Sequence, residues 1–222
     1  TLGEGDARFG IGVTNLYCDD PATGAVAPFT RRDMVDAVRL GHALPEYDVI
    51  STVGVLQDEP AHRAALVATL EMVANTTKPL VLLVSDPAQF APALDLLAVA
   101  SAADPARPFV LPYVNPITPL ALNAETTDKV DAALARGLPV IFSNYGMAGA
   151  STPMSPLRTL ALLHAELLAG LVYAQAVRPG AAVILGSLPA YFDMRTMVDF
   201  YDPRSMLINL ACAELLAWLG LP

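Results

Sequence analysis

From residue 47 onward, short apolar runs rich in β-branched residues alternate with longer stretches in which apolar positions recur at helical spacing. The runs are YDVIST (47–52), PLVLLV (79–84), PFVLPYV (108–114), PVIFS (139–143) and AAVILG (181–186). Their starts lie 32, 29, 31 and 42 residues apart. Near-continuous apolar strands separated by helices predict a parallel sheet covered on both faces, built from repeated βα units.

The helices between them carry start and stop signals. A helix over 30–44 begins at TRRD, with Thr30 as N-cap and Asp33 completing an approximate capping box. A second, over 60–75, starts with Pro60 in its first turn. Others are expected over 87–102, 121–136, 156–177 and 203–219. Gly137 and Gly180 follow helix ends, and Pro79, Pro108, Pro139 and Pro179 follow within a few residues of helices. Single-strand units without a long break favour an α/β fold of the TIM (β/α)8 type over an open doubly wound sheet. Five strands are clear, and FGIGVTNLYCD is the place to look for more, so the chain reads as five or six βα units in one domain over 1–222. No G-x-G-x-x-G follows a strand, which argues against a dinucleotide fold.

In such a barrel, ligands bind at the carboxyl ends of the strands. Those ends are Thr52 and Gly54; Ser85 and Asp86; Asn115 and Thr118; Asn144, Tyr145 and Gly146; and Ser187 with the loop reaching Asp193 and Arg195. YVNPITPL (113–120) stands out among them. Pro116 and Pro119 fix φ and remove two backbone donors, and Asn115 is pushed towards extended geometry by the proline after it. The stretch is either a rigid strand-to-helix connection or a rim presenting Asn115 and Thr118 to a ligand. Asp193 and Arg195 in FDMRT read as an ion pair shaping their loop or as contacts to a polar substrate group. Asp86, followed by Pro87, resembles a helix N-cap. Glu166 and Gln175 are polar points on an otherwise apolar helix, with interhelix or subunit contacts as their ordinary role.

Composition narrows the partners. The formal charge is −9, with thirteen Lys and Arg spread thinly along the chain, so no basic stripe is present to neutralise phosphates and nucleic acid is not an expected partner. Mean hydropathy is +0.47, yet the longest apolar stretch, TLALLHAELLAGLVYAQAV, carries His164, Glu166 and Gln175 and reads as a buried or interface helix rather than a membrane span. That helix makes a homo-oligomer plausible. Cys18 and Cys212 lie far apart without metal spacing, as in a reduced cytoplasmic protein with buried thiols. The chain opens on Thr rather than Met, which suggests trimming or a fragment.

Familiar catalytic sets do not fit. His42, His62 and His164 fall inside predicted helices rather than at strand ends. GASTPMS and FSNYG are not a nucleophile elbow, no zinc ligand set is in register, and Lys78 and Lys129 are not strand-end lysines.

NPITPL (115–120), the segment GMAGASTPMSPLRTLALLHAELLAGLVYAQAVRPGAAVILGS and FDMRT resemble the trimethylamine methyltransferase family of corrinoid-dependent enzymes, including glycine betaine members without pyrrolysine. The family pattern reads N-P-[IV]-[ST]-P-L, then G-A-T-x-P-[VM]-[TS], an A-E-[IL]-L-A-G helix ending in Q-x-x-x-P-G, then G-S and D-M-R-T. Residues 115–120, 149–155, 165–170, 175–180, 186–187 and 193–196 match in order. Where the family usually has a small residue after D-M-R-T, Met197 stands here, and the usual S-P-E helix start is Asp202, Pro203, Arg204. Family members are longer, so the chain reads as a middle portion of the barrel.

The resemblance implies methyl transfer from a methylated, quaternary amine such as a betaine to the Co(I) of a corrinoid (cobalamin) supplied by a separate carrier protein, with no metal held by this chain. A quaternary ammonium departs as a neutral tertiary amine, so no acid is needed for the leaving group; the protein positions the methyl and excludes water. Tyr145 and Phe192 are then the aromatic candidates for the cation, Asn115 and Asn144 the polar anchors, and Arg195 the partner of a betaine carboxylate. No catalytic residue is apparent. The alternative is a non-catalytic barrel remnant that binds a small molecule or a protein.

Overall fold

The computed structural model of the chain describes residues 7–100 and 109–221. They group into two compact units, one ending at Pro112 and the other beginning at Tyr113.

The first unit contains β1 (Gly10–Ile11), β2 (Tyr17–Asp19), β3 (Val26–Pro28), α1 (Arg31–Ala43), β4 (Val49–Ser51), α2 (Ala61–Asn75), β5 (Leu80–Leu82), α3 (Pro87–Ala100) and the start of β6 (Val110–Val114). β1, β4, β5 and β6 form a parallel ladder in chain order, with Gly10 opposite Val49, Ile50 opposite Leu80 and Leu82 opposite Pro112. The expected extra strand is therefore β1, within FGIGV. β2 and β3 form a small antiparallel hairpin beside that ladder's sequence. Thr30 and Asp33 make the reciprocal capping box at the start of α1. Pro60 sits one position earlier than expected, as the N-cap of α2, because its ψ of 134° lies outside the helical range. Met34, Val38, Ile50, Met72 and Phe90 are buried at the centre of this unit.

The second unit contains the end of β6, α4 (Ala124–Ala135), β7 (Val140–Ala148), α5 (Pro156–Val177), β8 (Val183–Asp193), β9 (Val198–Phe200) and α6 (Pro203–Trp218). β7 lies parallel to β6 and to β8, the latter in an unbroken register from Val140 opposite Val183 to Ala148 opposite Tyr191. β9 turns back antiparallel on the end of β8, with Tyr191 opposite Phe200 and Asp193 opposite Val198. α5 buries Thr159, Leu163, Glu166, Leu167, Gly170 and Ala174, a single stripe at three- and four-residue spacing. By length and composition α5 is apolar enough to cross a membrane, but this stripe is covered by β7 and β8. Asp202 caps α6, accepting from the Arg204 and Ser205 amides.

Counting a helix after each parallel strand gives six βα units among the described residues. With strand order following chain order, they are units of the (β/α)8 type, as the spacing predicts.

Candidate functional site

In the first unit the strand ends Thr52, Gly54, Ser85 and Asp86 line one cavity of about 400 Å³. Its far wall is Ala61, Ala64, Ala65 and Ala68 of α2, and its lining contains no aromatic side chain. Asp86 accepts from the Ala88 amide at 2.9 Å and from Gln89 Nε2 at 2.8 Å, which is the N-cap role expected of it. Lys78 is also in structural use: its Nζ donates to the Gly41 and Leu44 carbonyls at the end of α1, at 2.7 and 2.6 Å.

In the second unit the NPITPL stretch is a closed turn. The Ile117 amide donates to Ala121 O at 2.9 Å and the Ala121 amide returns to Ile117 O at 3.0 Å, around a cis Thr118–Pro119 bond. Asn115 is exposed at the end of β6; its Nδ2 donates to Ser143 O at 3.1 Å, and its carbonyl accepts from Thr126 Oγ1 at 2.8 Å. Thr118 donates its hydroxyl to Glu166 Oε2 at 2.9 Å. The stretch is thus a rigid strand-to-helix connection: it holds Asn115 at a strand end and turns the Thr118 hydroxyl onto Glu166.

β7 and β8 run on past the expected ends, so Asn144, Tyr145 and Ser187 lie inside strands, and strand alternation divides them between two faces. Asn144 is fully buried against α5 and gives both N–H bonds away, to Leu163 O and to Glu166 Oε2, each at 2.8 Å. Its Oδ1 and the Oγ of its register partner Ser187 have no hydrogen-bond partner among the described residues. Asn144 is thus a strut between β7 and α5 rather than a rim group beside Tyr145.

Tyr145 points to the other face, the one that carries Leu188 and Phe192 on β8. Its hydroxyl donates to the carboxylate of Asp199 on β9. Partial burial, then the Asp199 hydrogen bond and the nearby Tyr201, push the phenol well above its ordinary range and keep it neutral. Phe192 is half-buried and stands opposite Asp199 in the hairpin register. Two aromatic side chains and a carboxylate therefore share this face.

The Asp193–Arg195 pairing is made through the backbone. Asp193 Oδ1 accepts from the Arg195 amide at 2.8 Å and Oδ2 from Thr196 Oγ1 at 3.0 Å, which hold its carboxyl below the usual carboxylate range. The guanidinium of Arg195 stays exposed at the tip of the turn, with no ion-pair partner among the described residues. On the opposite face of the hairpin Tyr191 stacks on Phe200, with centroids 6.4 Å apart, and the Arg204 guanidinium lies 4.2 Å from the Tyr191 ring centre.

Asp199 and Tyr201 were outside the strand-end list because VDF is too short a run to mark a strand. Glu166, for which interhelix or subunit contacts are the ordinary expectation, binds the turn after β6 and the middle of β7. Gln175 ties the loop after α5, donating to Ala181 O and accepting from the Gly180 amide. The three histidines lie in α1, α2 and α5, as expected. Cys18 is half-buried and Cys212 buried, both free, and burial pushes the Cys212 thiol up.

The model of the trimethylamine methyltransferase (MTTB) family matches residues 3–222. A glycine betaine methyltransferase of Desulfitobacterium hafniense (strain Y51) is 35% identical over 117 residues, 52% of this chain and 24% of that protein. The trimethylamine methyltransferase MttB of Desulfitobacterium hafniense (strain DSM 10664 / DCB-2) is 27% identical over 224 residues, covering 98% of this chain and 44% of that protein. The chain thus spans less than half the length of these curated relatives. Among solved structures, a type I 3-dehydroquinate dehydratase from Clostridium difficile superposes with a TM-score of 0.52 over 96% of this chain and 71% of that one; at 13% identity the likeness is one of fold alone.

Proposed function

Because the chain belongs to the trimethylamine methyltransferase family, we propose that its second unit holds a quaternary amine of the betaine class for methyl transfer to the Co(I) of a corrinoid on a separate carrier protein. The observation that carries this reading is the Tyr145–Asp199 pair with Phe192 on the same face. A quaternary ammonium has no N–H to donate, so it is recognised through aromatic faces, at ~0.5–2 kcal/mol each, and through a nearby carboxylate. A neutral phenol is the form that serves, and the environment of Tyr145 keeps it neutral.

In this reading Arg195 donates to the carboxylate at the other end of a betaine. Asp193 and Thr196 fix the backbone of its turn and leave the guanidinium unpaired, and a guanidinium takes a carboxylate in bidentate fashion. The first unit's cavity carries the Glu59 and Asp86 carboxylates but no aromatic lining, so it offers a quaternary ammonium only half of that recognition.

A corrinoid Co(I) on a docked carrier would supply the nucleophile for the methyl group. The electron pair of the broken C–N bond stays on nitrogen, so the amine leaves neutral and no protein acid is required. The residues of this chain bind and orient the methyl and keep water from it.

Calorimetric titration with glycine betaine tests the reading. Binding that weakens about tenfold on Asp199→Asn, the loss of roughly 1.4 kcal/mol, supports it. Absence of binding, or binding indifferent to Asp199, overturns it.

A further inference from the structure

Glu166 lies in the middle of α5 and is 3% exposed. Among the described residues no Arg, Lys or His forms an ion pair with it. A carboxylate buried without a cation is costly unless hydrogen bonds replace its hydration. Here neutral donors do so: Oε2 accepts from Thr118 Oγ1 at 2.9 Å and from Asn144 Nδ2 at 2.8 Å, and Oε1 from the Leu120 amide at 2.6 Å.

These donors come from two separate places, the turn after β6 and the middle of β7. Leu120 is also a non-glycine residue at φ 56, a conformation that L side chains disfavour, and the amide reaching Glu166 is its own. Two donors therefore reach the carboxylate from either side of Pro119, within the segment that carries Asn115. Asn144 is fixed in turn, because its second N–H is spent on Leu163 O, one turn back in α5.

We propose that Glu166 is a positioning residue: it sets the 115–120 turn, and with it Asn115 at the end of β6, against β7. Its use in amine binding rests on the reading above, whereas its hold on the turn stands apart from that reading.

A glutamine of the same shape is not the decisive change: with Nε2 on the Oε2 side it still offers Oε1 to the Leu120 N–H, and only the Asn144 contact is lost. Leucine, of similar volume, removes both acceptor oxygens. A residue needed only to fill space would tolerate Leu, which also removes a buried charge.

The test is amide hydrogen exchange at Leu120. In the unmodified chain this amide is expected to exchange at least a hundredfold slower than a free peptide. In Glu166→Leu it is expected to speed up tenfold or more while amides within α5 stay protected. An unprotected Leu120 in the unmodified chain, or less than a twofold change in Glu166→Leu, overturns the assignment. Should Glu166→Leu not fold, Thr118→Val removes one donor and carries the same readout: exchange at Leu120 at least threefold faster supports the role, and unchanged exchange overturns it. Titration with glycine betaine separates the two claims. A fivefold weaker Kd in Glu166→Leu ties the turn to binding, and an unchanged Kd with a loosened Leu120 refutes that tie. If the unmodified chain binds no betaine, the functional reading fails while Leu120 exchange still decides the role of Glu166.

Discussion

The Tyr145 hydroxyl donates to the Asp199 carboxylate, joining the middle of β7 to the β9 hairpin across 54 residues of sequence. The contact sets both the electrostatics of one face and its pH response. The Tyr145 phenol is raised above 10.0 in the folded chain, so unfolded chains ionise first as pH climbs. The stability that the hydroxyl contributes is therefore fully present below about pH 10 and is lost as pH rises beyond it. Denaturant unfolding of the unmodified chain and of Tyr145→Phe between pH 8 and 11 should give a difference that narrows above pH 10 in disfavour of the unmodified chain. A constant difference would contradict it.

Arg195 should discriminate between ligands rather than set affinity for all of them. Arg195→Leu is expected to weaken glycine betaine binding about tenfold, roughly the 1.5–3 kcal/mol of a charge-assisted hydrogen bond at its lower end, and to leave tetramethylammonium within twofold. Equal losses for both ligands would remove Arg195 from the carboxylate contact.

Gly170 shows how closely α5 packs on β7. A Cβ there would stand 2.2 Å from the Phe142 ring, and both residues are buried. Gly170→Ala gains about 1 kcal/mol of helix propensity, but the overlap forces a core ring aside at about 1–3 kcal/mol or more. The clash wins, and thermal unfolding should show a net loss of stability.

Ser187 makes the opposite prediction. Its hydroxyl is buried and unpartnered, so it carries a desolvation cost with no bond in return. Ser187→Ala should be neutral or stabilising by up to about 1 kcal/mol; a loss above that would reveal a water bridging Ser187 to Asn144 Oδ1.

Local signals in the sequence carried most of the fold. Thr30 and Asp33 mark the start of α1 because a capping box is a contact over three residues, and the apolar runs mark β4 to β8 because buried parallel strands leave little room for polar side chains. The ends of β7 and β8 were hidden by the polar stretch SNYG and by the Gly and Pro of GSLPAY. Asn144 continues a strand only because Glu166 and Leu163 O, both distant in sequence, satisfy its amide. β9 was hidden for the same kind of reason: three exposed residues carry no apolar pattern, and pairing with Tyr191–Asp193 makes them a strand. So the positions of Asn115 just after β6 and of Arg195 in the turn after β8 were legible, whereas Asp199 and the bridging role of Glu166 depended on contacts that no local spacing records.

The most direct measurement is methyl transfer itself: incubation of the protein with glycine betaine and Co(I) cobalamin, following cobalt methylation and the demethylated amine together. The account predicts equal amounts of both products, with a rate that falls about tenfold in Asp199→Asn. Betaine binding at the Tyr145–Asp199 face with no methylation would contradict it and point to a binding remnant of the family instead.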